Sequence, residues 1–226
     1  EKAAIIAPGK PSVTAVQHPG VMAVIERTAR NRRSPLTIAR ADRKTPIPSL
    51  PGAHQRENAA LALETMRRIH SLPSPSEAAA VLARVQWPGR FERLETPPLV
   101  LDGAHNEHAA RVLAATWKEE FPGRKAALVF AASADKHIRE MIPVLREIAG
   151  EWHLVPCTSP RIMPAEKMAA LLGEQETGPV FIHSSLLDGL QAALASPLPV
   201  LAAGSLFLLG DLKALLRHAE KRSTAQ

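Results

Sequence analysis

From about residue 98 onward, short apolar runs alternate with amphipathic helical patterns. The apolar runs span residues 99–101, 127–130, 152–155, 180–182 and 200–202, and the helical patterns lie near 106–120, 136–148, 164–172, 186–196 and 206–218. Almost wholly apolar strands that alternate with helices are typical of a parallel sheet buried on both faces. With right-handed crossovers, this pattern predicts an α/β fold: a Rossmann-like, mostly parallel, doubly wound domain.

Residues 1–90 follow a different pattern. Short strands are predicted at 12–16 and 36–39, with a helix between them that starts near 21 and runs to the arginine cluster at 30–33. The proline-rich stretch 45–52 must be a loop, because proline fits neither helix interiors nor sheet ladders. A helix is predicted over 53–70, and another starts at Ser74-Pro75-Ser76-Glu77 and should end near 87–89. The change of pattern divides the chain into two predicted domains, 1–90 and 91–226.

Charge and composition narrow the class of ligand. Lys and Arg number 28 against 22 Asp and Glu, which gives a net charge of +6. A basic balance suits polyanions such as ATP or a glutamate-rich substrate. The basic residues are scattered, tyrosine is absent and aromatics make up 4% of the chain, so base-stacking platforms are lacking. We therefore do not expect nucleic-acid binding.

Cys157 is the only cysteine, which excludes an internal disulfide framework and a multi-cysteine metal site. A reducing cytoplasm is the expected compartment. No apolar stretch approaches the roughly 20 residues of a membrane span, so no membrane association is expected. The chain starts at Glu1 without an initiator methionine or a secretory signal, and we interpret it as a fragment of a longer protein.

Ligands of doubly wound sheets bind at the carboxyl ends of the strands. The first predicted strand of the second domain is followed by Asp102-Gly103-Ala104-His105-Asn106, which opens a helix. Asp102 could bind ribose hydroxyls or an ammonium group, and His105 could meet a phosphate at the helix start. Alternatively, Asp102 or Asn106 only caps the helix, and the local pattern leaves both interpretations open. A zinc site of Asp102, His105 and His108 is not expected, because His-x-x-His pairs are common by chance.

Further candidate site residues lie at a helix start, at the domain junction and after other predicted strands. The amide of Asn58, in His54-Gln55-Arg56-Glu57-Asn58, matches the N6 and N7 edge of adenine, although the local pattern alone favours an ordinary exposed polar residue. Arg90 at the domain junction can neutralise phosphate, or form only a weak surface ion pair. Ser205 can hold a carboxylate or cap the last helix. Asp135 and Lys136 could likewise be only a capped helix start.

Together, five segments occur in a specific order: Glu1-Lys2-Ala3-Ala4-Ile5-Ile6-x-Pro8-Gly9, His54-Gln55-x-x-Asn58-Ala59-Ala60, Pro88-Gly89-Arg90-Phe91, Asp102-Gly103-Ala104-His105-Asn106 and Gly204-Ser205-Leu206-Phe207. In this order they resemble folylpolyglutamate synthase/dihydrofolate synthase, the folate branch of the Mur ligase superfamily. The resemblance implies that residues 1–90 are the end of a central ATP-binding domain and that 91–226 are the glutamate ligase domain.

The resemblance also implies a reaction. ATP phosphorylates the carboxylate of dihydropteroate or tetrahydrofolate, and L-glutamate attacks the acyl phosphate with Mg2+ as cofactor. Asn58 (at the adenine), Arg90 (at the phosphates) and Asp102 are expected to contact ATP. Catalytic roles are implied for Arg90 and His105, and His105 and Ser205 are expected near glutamate. Lys2 matches a lysine whose carbamylated form positions the metal. Only small-molecule partners and a monomer are expected.

Two departures from the family pattern are visible. Position 4 is alanine where the family motif has glycine, a change that leaves Lys2 in place. The chain also has no glycine-rich phosphate loop ending in Gly-Lys-Ser/Thr, and the resemblance places that loop upstream of residue 1. We therefore expect the chain to be inactive alone. A peptidoglycan-type Mur ligase and a non-catalytic nucleotide- or amino-acid-binding module remain the alternatives.

Overall fold

The computed structural model describes residues 2–69, 73–134, 138–173 and 178–223. The chain divides into two compact units, Glu1–Gln86 and Trp87–Gln226. The predicted domain boundary at residue 90 differs slightly from this division, and it places Arg90 in the second unit.

The first unit contains a two-stranded parallel sheet and three α-helices. Its elements are a 3-10 helix Lys2–Ile5, β1 Ser12–Ala15, α1 Pro19–Asn31, β2 Leu36–Ala39, α2 His54–Ile69 and α3 Pro75–Leu82. A capping box of Ser74 and Glu77 starts α3, as the sequence predicts. However, α3 ends before the predicted 87–89. The Arg84 and Val85 N–H groups bond three residues back, to the Val81 and Leu82 carbonyls, and the Leu82 carbonyl also accepts the Ser49 N–H.

The second unit contains a six-stranded sheet in the order β3-β4-β8-β5-β6-β7. Its strands are β3 Glu92–Glu95, β4 Pro98–Leu101, β5 Ala126–Phe130, β6 Ala149–Leu154, β7 Val180–Ile182 and β8 Val200–Ala203. Its helices are α4 Glu107–Glu120, α5 Ile138–Arg146, α6 Ala165–Gly173, α7 Leu186–Ala195 and α8 Leu206–Ser223. The five predicted strands are all present and parallel, which confirms the α/β fold. The sequence pattern missed β3, an antiparallel edge strand.

Side chains along the central strands alternate between two buried clusters. Leu128 and Phe130 of β5 pack in one cluster with α4, α5 and α6, whereas Ala127 and Val129 pack in the other with α7 and α8. Burial on both faces explains why these strands are wholly apolar. Because β8 lies between β4 and β5, the loops after β4 and β8 meet at the same edge.

Candidate functional site at the carboxyl edge of β4 and β8

Three of the segments singled out in the sequence meet at the carboxyl edge of β4 and β8. The Gly103 N–H donates to the Gly89 carbonyl (2.7 Å), and the Gly204 N–H donates to the Ala104 carbonyl (3.0 Å). Sheet pairing of Leu101 with Ala202 brings the two strand ends into register. We call this set of segments, 88–91, 102–106 and 204–205, the strand-end site.

Glycine is required where the strand-end site is tightest. Gly204 has φ +116°, and a Cβ there would lie 2.6 Å from Phe130 Cε2 and 2.7 Å from the Ala131 carbonyl oxygen. A Cβ on Gly103 would lie 2.6 Å from Leu206 Cδ2. At Gly204 the short contacts are to a buried ring and to backbone, so only glycine fits there, whereas the exposed Leu206 side chain could move away from a Cβ on Gly103.

Asp102 holds the site together through its carboxylate. Its Oδ2 accepts the Phe91 N–H and its Oδ1 accepts the Ala104 N–H, both at 2.9 Å. Burial raises the pKa of Asp102, while these two hydrogen bonds and the charges of Arg90 and His105 act in the opposite direction. Asp102 therefore does not cap α4, and it fixes the backbone of two segments of the site.

His105 is positioned by its own turn. Its Nδ1 lies 2.7 Å from the Gly103 carbonyl oxygen. A carbonyl can only accept, so Nδ1 carries the hydrogen and Nε2 is left to accept a proton or to donate once protonated. The ring is partly exposed at the functional edge. This is the arrangement of a side chain that can contact a phosphate or an amine.

Two predicted residues act as helix caps. The Asn106 side chain accepts the Ala109 N–H and starts α4. The Ser205 hydroxyl accepts the Leu208 N–H at 3.1 Å at the start of α8, and Ser205 is only 2% exposed. Its hydroxyl hydrogen is still available to donate. The capping interpretation holds for both residues, and the role of Ser205 in glutamate binding remains a prediction.

Arg90 differs from its neighbours because it is exposed. Its backbone follows Gly89 (φ +73°) and precedes Phe91, which is buried and has φ +47°. In the part of the chain that the structure describes, no hydrogen bond or ion pair engages its guanidinium. Arg90 therefore lies beside the Asp102 turn with a cationic group that can contact a phosphate.

The remaining two predicted residues lie in the first unit. Asn58 is exposed on α2, and its Nδ2 donates to Oε1 of the buried Gln55 (3.0 Å), so the amide is oriented. Lys2 is exposed in the 3-10 helix. The Arg32 guanidinium holds this helix by donating to the Ala4 carbonyl at 2.8 Å and to the Ile6 carbonyl.

A magnesium site is not formed by the described residues alone. Among residues 2–69, 73–134, 138–173 and 178–223, no group of three or more His, Cys, Asp or Glu side chains converges as metal ligands do. The same holds for the zinc site of Asp102, His105 and His108 that the sequence disfavoured. An unmodified Lys2 is a cation and cannot bind a metal ion. The sequence candidates Asp135 and Lys136 lie outside the described residues.

The structure also shows a contact that no sequence pattern indicates. Asp211 of α8 accepts the Thr158 N–H (2.7 Å) and hydroxyl (2.8 Å), which ties the loop after β6 to the helix that Ser205 starts.

Burial and the nearby Asp211 charge raise the pKa of Cys157 to about 12, so its thiol stays protonated.

Helices within the described part of the chain are all too short or too polar to span a bilayer.

Comparison with protein families gives one match to the second unit. The family model described as Mur ligase, glutamate ligase domain, matches residues 89–208. These residues include the whole strand-end site except Pro88.

Curated relatives and solved structures agree with that match. The dihydrofolate synthase/folylpolyglutamate synthase of Bacillus subtilis is 30% identical over 96% of this chain and 57% of its own length. Folylpolyglutamate synthase of Mycobacterium tuberculosis complexed with ADP superposes with a TM-score of 0.83 at 25% identity, over 95% of this chain and 57% of that one. The bifunctional enzyme of Yersinia pestis, complexed with AMPPNP and Mn ion, gives 0.78 at 25% identity, over 96% and 55%. The chain thus spans little more than half the length of these proteins.

Proposed function

Because the chain belongs to the Mur ligase family through its glutamate ligase domain, we propose that it is part of an ATP-dependent ligase that joins L-glutamate to dihydropteroate or tetrahydrofolate. In this proposal the first unit is the end of an ATP-binding domain. The reaction passes through an acyl phosphate, and ADP and phosphate are the products.

The observation that carries the proposal is the assembly of the strand-end site. Segments 88–91, 102–106 and 204–205 are far apart in the chain, yet backbone hydrogen bonds and the Asp102 carboxylate join them at one edge of the sheet. That edge is where ligands of doubly wound sheets bind. The Bacillus subtilis relative covers 96% of this chain in sequence, and the Mycobacterium tuberculosis enzyme covers 95% of it in structure.

Each residue has a role that its surroundings support. Arg90, exposed and cationic, offsets negative charge on the transferring phosphoryl group. His105, with Nδ1 held by the Gly103 carbonyl, presents Nε2 to the phosphate or to the incoming amine. Asp102 acts chiefly by fixing the turns that hold Arg90 and His105, in addition to any contact with ATP.

Asn58, Ser205 and Lys2 complete the proposed set. Asn58 offers an oriented amide to adenine, and Ser205 can donate its remaining hydrogen to a glutamate carboxylate. Lys2 could become a metal ligand only as a carbamate, which would replace its positive charge with a carboxylate-like group. No step of the reaction is assigned to magnesium, because the described residues do not form a site for it.

The test compares Arg90→Ala with Arg111→Ala in the complete gene product. Arg111 is also an exposed arginine of the second unit, but it pairs with Glu107 on α4. ADP release that depends on both glutamate and a pteroate or folate acceptor is measured. We expect Arg90→Ala to lower kcat/KM for ATP by about 100-fold or more, and Arg111→Ala to leave it unchanged.

Other outcomes separate the alternatives. ADP release that requires a peptidoglycan precursor instead of a folate would identify another Mur ligase. Binding of ATP and glutamate by the complete protein without turnover would identify a binding module. Turnover by residues 1–226 alone would show that the reaction does not need a glycine-rich phosphate loop ending in Gly-Lys-Ser/Thr.

A further inference from the structure

Two histidines face each other near the carboxyl ends of β6 and β7, at the other end of the strand order from β3 and β4. His153 lies on β6 and is 4% exposed, and His183 directly follows the edge strand β7. His153 Nδ1 and His183 Nε2 are 3.0 Å apart, and the ring planes are inclined by 16°. The backbone N–H of His183 also donates to the Leu154 carbonyl (3.0 Å), so the imidazole pair extends the pairing of β6 with β7.

Two carboxylates and one aromatic ring surround this pair. His153 Nε2 lies 3.4 Å from Glu151 Oε1, and both atoms are buried without a hydrogen-bond partner among the described residues. Phe181 of β7 lies over His153 with ring centroids 5.2 Å apart. On the side of α7, Asp188 acts electrostatically on His183, and the Ser184 hydroxyl donates to Asp188 (3.0 Å).

The pair packs against α7 on one side. A Cβ on Gly189 of α7 would lie 2.2 Å from Val155 Cγ1 and 3.2 Å from His183 Cδ2. One edge of the His183 ring therefore contacts the first turn of α7, whereas the residue as a whole is partly exposed.

The number of protons decides whether the contact is attractive. An N···N distance of 3.0 Å is a hydrogen bond only if one nitrogen carries hydrogen and the other has a lone pair. Two neutral rings meet this condition, and so does a pair with one added proton. Two added protons place N–H groups of two cations against each other and remove the bond.

We propose that His153 and His183 form a proton-sensitive latch, which holds the edge strand β7 and the start of α7 to β6 near neutral pH and releases them when both imidazoles are protonated. The latch is a property of the second unit and does not depend on the proposed ligase activity.

The direction of the pH effect follows from His183. Burial lowers the pKa of His183, the nearby His153 lowers it further, and the Asp188 charge opposes both. A histidine whose pKa is lower in the closed state than in the open state stabilises the closed state at pH values above the ordinary histidine pKa near 6.5. This stabilisation decreases as the pH falls below about 6.5 toward the pKa of the closed state.

Hydrogen exchange of residues 1–226 tests the latch. Exchange rates of the β7 and α7 amides, corrected for intrinsic pH dependence, are compared at pH 7.5 and 5.0. The β5 amides serve as the internal reference. We expect the opening equilibrium constant of β7 and α7 to increase at pH 5.0, by at most about 30-fold, because protonation at pH 5.0 stabilises an imidazole with the ordinary pKa near 6.5 by about that factor.

Three variants distinguish the latch from a passive contact. His183→Gln keeps a donor for His153 Nδ1 but does not titrate, so its β7 protection should be equal at both pH values. His108→Gln, at an exposed histidine on α4, should behave like the unsubstituted chain. Glu151→Gln removes the negative charge that faces the pair, so added protons are less compatible with the closed state. This variant should release β7 at a higher pH, even if His183→Gln folds poorly.

Imidazole ¹⁵N spectra over the same pH range show which rings gain protons. The proposal predicts that loss of β7 protection follows the protonation of His183. Constant β7 protection between pH 7.5 and 5.0 would overturn it. So would a His183→Gln chain that keeps the full acid sensitivity.

Discussion

Replacing Gly204 with alanine is the most direct test of how the strand-end site is built. Gly204 directly follows β8, precedes the Ser205 cap of α8 and donates its N–H to the Ala104 carbonyl. Its φ of +116° is a conformation that alanine rarely adopts. The new Cβ would also lie 2.6 Å from Phe130 Cε2 and 2.7 Å from the Ala131 carbonyl oxygen.

Two costs combine in this variant. Backbone strain of a non-glycine residue at such a φ costs about 1–3 kcal/mol. Overpacking against a buried ring and a carbonyl costs about 1–3 kcal/mol more, because neither Phe130 nor the backbone of β5 can move freely. The sum of about 2–6 kcal/mol is a large part of the 5–15 kcal/mol that typically stabilises a domain.

The free energy of unfolding is measured by urea titration of residues 1–226, followed by the fluorescence of Trp117 and Trp152. Both indoles are fully buried in the second unit. The matched control is Gly210→Ala on α8, where a Cβ meets no atom within 4 Å. We expect the control to gain about 0.5–1 kcal/mol, because alanine is favoured over glycine inside a helix.

The two variants should therefore differ in sign. With an urea m value of about 1–3 kcal/mol/M, Gly204→Ala should lower the midpoint by roughly 1 M or more, and Gly210→Ala should raise it slightly. An unchanged or higher midpoint for Gly204→Ala would show that the turn can relax without strain. The explanation of the strand-end site by close backbone approach would then be wrong.

Three further outcomes are expected. Asp102→Ala should destabilise the second unit by about 2–4 kcal/mol in the same urea titration, because the Phe91 and Ala104 N–H groups lose their acceptor. Loss of turnover in this variant would therefore not by itself demonstrate a contact between Asp102 and ATP. Ser205→Ala should cost about 1 kcal/mol through loss of the α8 cap, and no loss would contradict that role. Cys157, with its pKa raised to about 12, should react with iodoacetamide at pH 8 far more slowly when folded than in urea, as followed by mass spectrometry.

Local pattern was sufficient for most elements of the fold. The parallel strands and their helices were predicted because burial on both faces makes strands wholly apolar, and because helices repeat every 3.6 residues. The predicted end of α3 was wrong, because the chain turns tightly at Arg84 and Val85 and Ser49, distant in sequence, binds the Leu82 carbonyl there. The edge strand β3 was missed, since Glu-Arg-Leu-Glu carries no apolar run and forms a strand only by pairing with β4.

The candidate site was predicted as a set of residues but not as a structure. Motif order identified Arg90, Asp102, His105 and Ser205, and the structure brings their segments together. What each side chain does was left open by the sequence. Asn106 and Ser205 are caps, whereas Asp102 binds the backbone of two segments, and that distinction depends on which N–H groups lie within reach.

The sequence by itself determined the parallel strands and the helices of the second unit, its two-sided burial and its family resemblance, because these depend on local periodicity and on short motifs. Only the tertiary structure decided that β8 lies between β4 and β5, which brings Gly204 to Ala104. It alone decided that His153 meets His183. Such contacts depend on strand order and register, and residues far apart in the chain carry no local signal of either.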